Sequence, residues 1–222
     1  STTSGIGVYW RLEKFIRHSE SEFLGSVGCT GAIYAIRSAL FKPIPPDTIL
    51  DDLLIPMQIA AQRFRVRFTR QAVAKELRKP DPKWERRRKL RTLAGNYQLI
   101  FRHPRWLLPW GHPQWFAFLS HKVLRLCAPW FLLAVYTTNL ILAHSGSASS
   151  FWSVFLLAQS LTWLTAATGV IVPRLAFPPF SICATFFWLN LQVVLAIFYW
   201  LNRDYQRGWA SHREGVDHVQ SP

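Results

Sequence analysis

"FWSVFLLAQSLTWLTAATGVIV", residues 151–172, runs for 22 residues without an Asp, Glu, Lys or Arg. A bilayer hydrocarbon core about 30 Å thick needs roughly 20 apolar residues of helix to cross it. Core helices of soluble proteins seldom run this long without a charged face. The stretch therefore predicts a transmembrane helix, and two others flank it. Ala128 to Ala143 carries no charge, and Val123 to Cys127 extends it past Arg125, whose long stem can snorkel to the headgroups. Leu175 to Leu201 is a further uncharged run, of 27 residues. All three lie towards the C-terminal end, which is not where a signal peptide sits.

Charge divides the chain into parts suited to two solvents. Residues 1–127 hold 22 Lys and Arg against 9 Asp and Glu, a net +13, whereas residues 128–222 hold 4 against 3, a net +1. The expected organisation is a basic, cytoplasmic domain over 1–102, an amphipathic interfacial segment over 103–127, three transmembrane helices over 128–201 and a polar tail over 202–222. The interfacial segment, "HPRWLLPWGHPQWFAFLSHKVLRLC", sets Trp106, Trp110, Trp115, Phe116 and Phe118 beside His121, Lys122 and Arg125. That is the composition of a headgroup-level element. His103, His112 and His121 are too widely spaced for a metal site and are expected at the same level. The uncharged loop "AHSGSASS", residues 143–150, suits the far side of the membrane. A third full crossing puts Arg203, Arg207 and Arg213 outside, against the positive-inside tendency. Cys29, Cys127 and Cys183 form no CxxC or CxxH pattern, so neither a disulfide framework nor a zinc site is expected.

Within the basic domain, "DTILDDLLIP", residues 47–56, sets Asp51 and Asp52 side by side in an apolar run. Burial of an unpaired carboxylate costs several kcal/mol. The pair is read either as an N-cap of a helix starting at Leu53 or as a source of a general base. Upstream, "GSVGCTGAIYAIR", residues 25–37, leads through Gly28, Cys29, Thr30 and Gly31 into a strand-like alternation over 32–36. Its glycines permit close backbone approach to a ligand but do not form a dinucleotide fingerprint. "RFRVRFT", residues 63–69, alternates arginine with Phe64, Val66 and Phe68, the pattern of a half-buried strand. A helix is expected over 53–62 and another from about Trp84. Arg88 and Arg91 stand three apart on one face of the latter, where guanidinium groups can hold a diphosphate. Arg86 and Arg87 read equally well as a solvated charge run. The arginines match no nucleic-acid reader motif, so no nucleic-acid partner is expected.

In this order, an acidic pair, an arginine helix and an aromatic interface before membrane spans, the chain resembles the membrane-bound family 2 glycosyltransferases, the processive group of cellulose, chitin and hyaluronan synthases. The motif Arg88-Lys89-Leu90-Arg91-Thr92, with Gly95 and Gln98 in register, is similar to that family's Gln/Arg-x-x-Arg-Trp helix, Thr92 replacing the usual Trp. "HKVLR", residues 121–125, resembles its interfacial helix. The resemblance implies an α/β fold: a partial GT-A, Rossmann-like nucleotide-sugar transferase domain followed by an α-helical transmembrane region. It implies Asp52 as the catalytic base with Asp51 beside it. Arg88, Arg91, Thr92 and Gly95 would lie at the donor diphosphate and acceptor end, and the segment holding Gly28, Cys29, Thr30 and Gly31 at the acceptor site. The activity implied is that of a hexosyltransferase in a plasma membrane, the bacterial inner membrane, moving sugar from a nucleotide-sugar donor to a glycan or lipid-linked acceptor. That family also has an Asp-x-Asp donor motif binding Mg2+ or Mn2+. None occurs in these 222 residues, so the metal is expected mainly on an N-terminal half of the same protein. The alternative is a non-catalytic membrane subunit, or degenerate fragment, that binds lipid or polysaccharide.

Overall fold

A computed structural model describes residues 15, 19, 21–22, 25–69, 71, 82–145, 150–172, 180–203 and 205. Five helices organise them: α1 (Asp51–Ala61), α2 (Pro82–Arg102), α3 (Trp115–His144), α4 (Ser150–Ile171) and α5 (Phe180–Leu201). Short 3-10 turns occupy Ser38–Leu40 and Pro104–Leu107. Helix α3 passes through a π-helical turn at Leu119–Val123 and contains Pro129. The chain divides into two compact units, one drawn from Arg11–Arg125 and Leu195–Pro222, the other chiefly from Leu126–Val194. Residues 1–24, apart from isolated positions, residues 72–81 and the polar tail beyond 205 lie outside the described residues.

Helices α3, α4 and α5 are each long and apolar enough to cross a membrane. Their outward faces carry large apolar side chains, among them Phe131, Ile141, Val154, Leu164 and Ile182, which an aqueous solvent would penalise and a lipid one accepts. Several polar groups in this unit find partners within it. The hydroxyls of Thr162, Thr165 and Thr168 donate to carbonyls four residues back. The amides of Asn139 and Gln159 meet at 2.8 Å, and Tyr136 Oη lies 3.2 Å from Ser160 Oγ. Such pairs hold helices together where apolar burial supplies no preference over lipid.

The other unit has a core of its own. Helix α1 buries Leu53, Leu54, Ile55, Met57, Ile59 and Ala60, so that it is apolar on nearly every side. Val27, Leu50, Ala94, Leu99, Trp106, Phe118 and Tyr205 join Leu53, Leu54 and Met57 in one cluster. Helix α1 ends in a Schellman arrangement. The Phe64 N–H donates to Ile59 O at 3.4 Å and the Arg63 N–H to Ala60 O at 2.9 Å. Arg63 takes φ of 67° at the position where glycine is usual.

The expected α/β, Rossmann-like domain is not what forms. The described residues contain helices, turns and extended segments, and no strand. Residues 33–37 run exposed into the turn at Ser38–Leu40. Residues 64–69 have no regular secondary structure and are held by isolated bonds, Ser26 N–H to Val66 O at 2.8 Å and Phe68 N–H to Ser21 Oγ at 2.8 Å. Alternation along one segment records only which side chains can face inward. A strand further requires a neighbouring backbone to complete a ladder, and no described segment runs beside either one in that way.

Candidate active site

The acidic pair occupies the first turn of α1, with Leu50 rather than an aspartate as N-cap. This corrects the burial expected from its apolar flanks: Asp51 is exposed and Asp52 half-buried. The first turn of a helix favours negative charge because its peptide N–H groups point outward unpaired.

Helix α1 then meets Pro56, which has no N–H to give the carbonyl four residues earlier. That carbonyl belongs to Asp52. It accepts instead from the Cys29 backbone N–H at 2.8 Å and the Cys29 thiol at 3.2 Å. A proline inside a helix thus ties the small-residue segment 25–31 to the acidic pair. The segment lies close. A Cβ on Gly31 would be 3.3 Å from Asp52 Oδ2, and one on Gly28 3.4 Å from Asp52 O. Thr30 is exposed and closes a turn by accepting from the Ile33 N–H at 3.2 Å.

Behind the pair, α2 grips the strip 47–50. The Gln98 side chain accepts from the Ile49 N–H and donates to Asp47 O, both at 2.9 Å. A Cβ on Gly95 would stand 2.4 Å from Leu50 Cγ, so only glycine permits this approach. Arg91, half-buried, reaches Ile49 O at 3.4 Å. The structure thereby brings Gly28, Cys29, Gly31, Asp52, Arg91 and Gly95 around one short stretch of backbone. Arg88 and Thr92 face solvent one turn apart, the Thr92 hydroxyl donating to Arg88 O at 2.9 Å. Arg86 and Arg87 are likewise exposed. The side chain of Trp84 lies outside the described residues.

A second brace joins the far end of the glycine segment to the stretch after α2. Gly25 adopts φ of 98°, which L side chains rarely take. Its carbonyl accepts from Gln114 Nε2 at 2.9 Å. Gln114 N–H in turn donates to His112 Nδ1 at 3.0 Å, which makes the other ring nitrogen, 3.0 Å from Met57 O, the protonated donor. His112 is therefore the neutral Nε2–H tautomer. Burial is the main cause holding its pKa below the ordinary histidine value, with Arg63 adding to it and the Met57 bond opposing. His103 is lowered for the same leading reason, then by Arg102 and His112. Trp106 stacks on His103 with ring centroids 4.1 Å apart and meets Phe118 edge-on. Trp106 and His112 are thus core residues, whereas the interfacial reading placed them at headgroup level. Trp110 and Phe116 do remain exposed.

Sequence patterns missed Tyr34. Its phenol pKa is raised, by burial first and then by the charges of Asp51, Cys29 and Asp52, which places it electrically at the acidic pair. The signal for the Cys29–Asp52 link was present as Pro56, four residues after Asp52. Among the described residues no group of three His, Cys, Asp or Glu side chains converges to hold a metal ion. No family model, curated protein or solved structure matches the chain.

Proposed function

We propose that this chain forms the acceptor side of an inverting membrane glycosyltransferase, with Asp52 as general base. One observation carries the reading. The small-residue segment and the acidic pair are tied by the Cys29 bonds to the Asp52 carbonyl, while α2 brings Arg91 and Gly95 against the strip that leads into the pair. These are the residues that the resemblance assigns to a shared site, and they come from three separate parts of the chain.

In this reading the Asp52 carboxylate removes the proton from an acceptor hydroxyl. The resulting oxygen attacks the anomeric carbon of a nucleotide-diphosphate sugar from the face opposite the leaving group. The new glycosidic bond forms as the bond to the diphosphate breaks, and configuration inverts. Gly31 adds no side chain of its own beside Asp52 Oδ2, where a Cβ would stand 3.3 Å away. Arg91, with Arg88 a turn earlier, supplies positive charge for the departing diphosphate. In the family resembled, Mg2+ or Mn2+ would supply further positive charge at the donor diphosphate.

The test is transfer of labelled sugar from a panel of nucleotide-diphosphate donors by membranes containing the intact protein, with Asp52→Asn and Asp51→Asn compared. Loss of a positioned general base lowers turnover by about 10²–10⁴-fold. The loss is expected for Asp52→Asn with donor binding retained, and a smaller one for Asp51→Asn. Wild-type turnover in Asp52→Asn refutes the assignment. Transfer from no donor in the panel favours the non-catalytic subunit.

A further inference from the structure

A cavity of about 330 Å³ lies where the C-terminal ends of α2 and α5 meet, and the transfer reaction proposed above does not use it. Asp47, Gln98, Arg102, Trp200, Arg203 and Tyr205 line it. Gln98 already uses both ends of its amide on backbone groups. Among the described residues, the charged groups that line the cavity are Arg102, Arg203 and Asp47. Arg102 is hydrogen-bonded to Asp47, and both are partly exposed, so the pair is accessible to a ligand. That bond is the leading cause of the depressed Asp47 pKa, and the charge of Arg203 lowers it further. Arg203 follows the last turn of α5 with φ of 56°, and its N–H donates to Trp200 O at 3.1 Å. An arginine occupies the left-handed position where glycine is cheapest, the kind of local strain that collects at binding sites.

The surroundings are apolar. Phe101 and Trp200 stack with centroids 5.0 Å apart, and Phe101, Phe198 and Leu201 are each more than half exposed. Helix α5, which ends at Leu201, is long and apolar enough to cross a membrane. A cavity lined by two arginines beside aromatic and aliphatic surface at a span's end matches a molecule with an anionic head and hydrocarbon tails.

We propose that this cavity binds the phosphate of an anionic phospholipid, with Arg102 and Arg203 on the phosphate oxygens and the acyl chains along Phe101, Phe198 and Leu201. The site does not depend on the transferase reading. Its size falls at the lower end of small-ligand cavities, suited to a glycerophosphate head rather than a nucleotide.

The experiment titrates the detergent-solubilised full protein with dioctanoyl phosphatidylglycerol, dioctanoyl phosphatidylcholine and inorganic phosphate, reading binding by the shift in thermal unfolding midpoint. Saturable stabilisation is expected from phosphatidylglycerol, well beyond that from the other two. Arg203→Gln is expected to weaken it by about tenfold or more, as loss of one charge-assisted contact does. Arg203→Lys should retain part of the affinity. Arg203→Gly removes the charge while relieving the positive φ, so it should unfold no earlier than wild type and still lose the lipid effect. Equal response to the two lipids, equal affinity for inorganic phosphate, or unchanged phosphatidylglycerol binding in Arg203→Gln and Arg203→Gly each overturns the proposal.

Discussion

Replacing Gly95 by alanine sets two physical effects against each other. In a helix interior that change alone gains about 1 kcal/mol. Here the added methyl would lie 2.4 Å from Leu50 Cγ, 2.8 Å from Leu50 Cδ1 and 3.1 Å from Ile49 Cγ2. Carbon atoms prefer about 3.5–4.0 Å, so the overlap with Leu50 is about 1 Å or more. Leu50 Cγ is a branch point in the core, and cannot swing away as a chain end could. Overpacking of this kind costs about 1–3 kcal/mol. Separation of α2 from the strip also strains the Gln98 bonds to Ile49 and Asp47, and leaving a buried partner unsatisfied costs about 1–3 kcal/mol more. The balance is a net loss of about 3 kcal/mol, a fall in unfolding midpoint of roughly 6–12 °C for a chain of this size. Thermal unfolding of the purified protein, followed by tryptophan fluorescence, measures it. Adding Leu50→Ala to Gly95→Ala should recover at least about 1 kcal/mol relative to additivity, because the two changes share one volume. A Gly95→Ala protein as stable as wild type, or a strictly additive pair, refutes the close approach of α2 to the acidic strip.

Other consequences can be tested on the same preparation. Pro56→Ala restores an N–H four residues after Asp52, which competes with Cys29 for the Asp52 carbonyl; alkylation of Cys29, measured with Cys127 and Cys183 replaced by serine, should accelerate, and an unchanged rate counts against the link. Arg63→Gly should raise stability by about 1 kcal/mol by relieving φ of 67° without touching the site, and a loss of stability argues against the Schellman end of α1. His112 and His103 have pKa values lowered by folding, so the unfolded chain binds their protons more readily. Their contribution to stability is complete above the unfolded histidine value of about 6.5 and is lost as pH falls below it towards the folded values. Urea unfolding between neutral and mildly acid pH should show that decline, and His112→Asn should flatten most of it; an equal slope in the variant refutes the neutral, doubly bonded ring.

The parts of this protein legible in the sequence are those decided by local properties. Length and absence of charge make α3, α4 and α5 candidate spans whatever they pack against, because lipid is a solvent that each helix meets on its own. The helices α1 and α2 follow from short-range pattern. What only the tertiary structure decided concerns partners distant in the chain. Residues 63–69 alternate as a strand does, yet a ladder depends on a neighbouring backbone that alternation cannot supply. Trp106 and His112 have the composition of a membrane interface, but Phe118, His103 and the Met57 carbonyl draw them into a core. Asp51 and Asp52 read as an expensive burial, and in the fold they sit at a helix start with Asp51 open to solvent. The bond from Cys29 to the Asp52 carbonyl spans 23 residues. Composition determines which solvent a segment prefers; which donor meets which acceptor is settled only when the whole chain has packed.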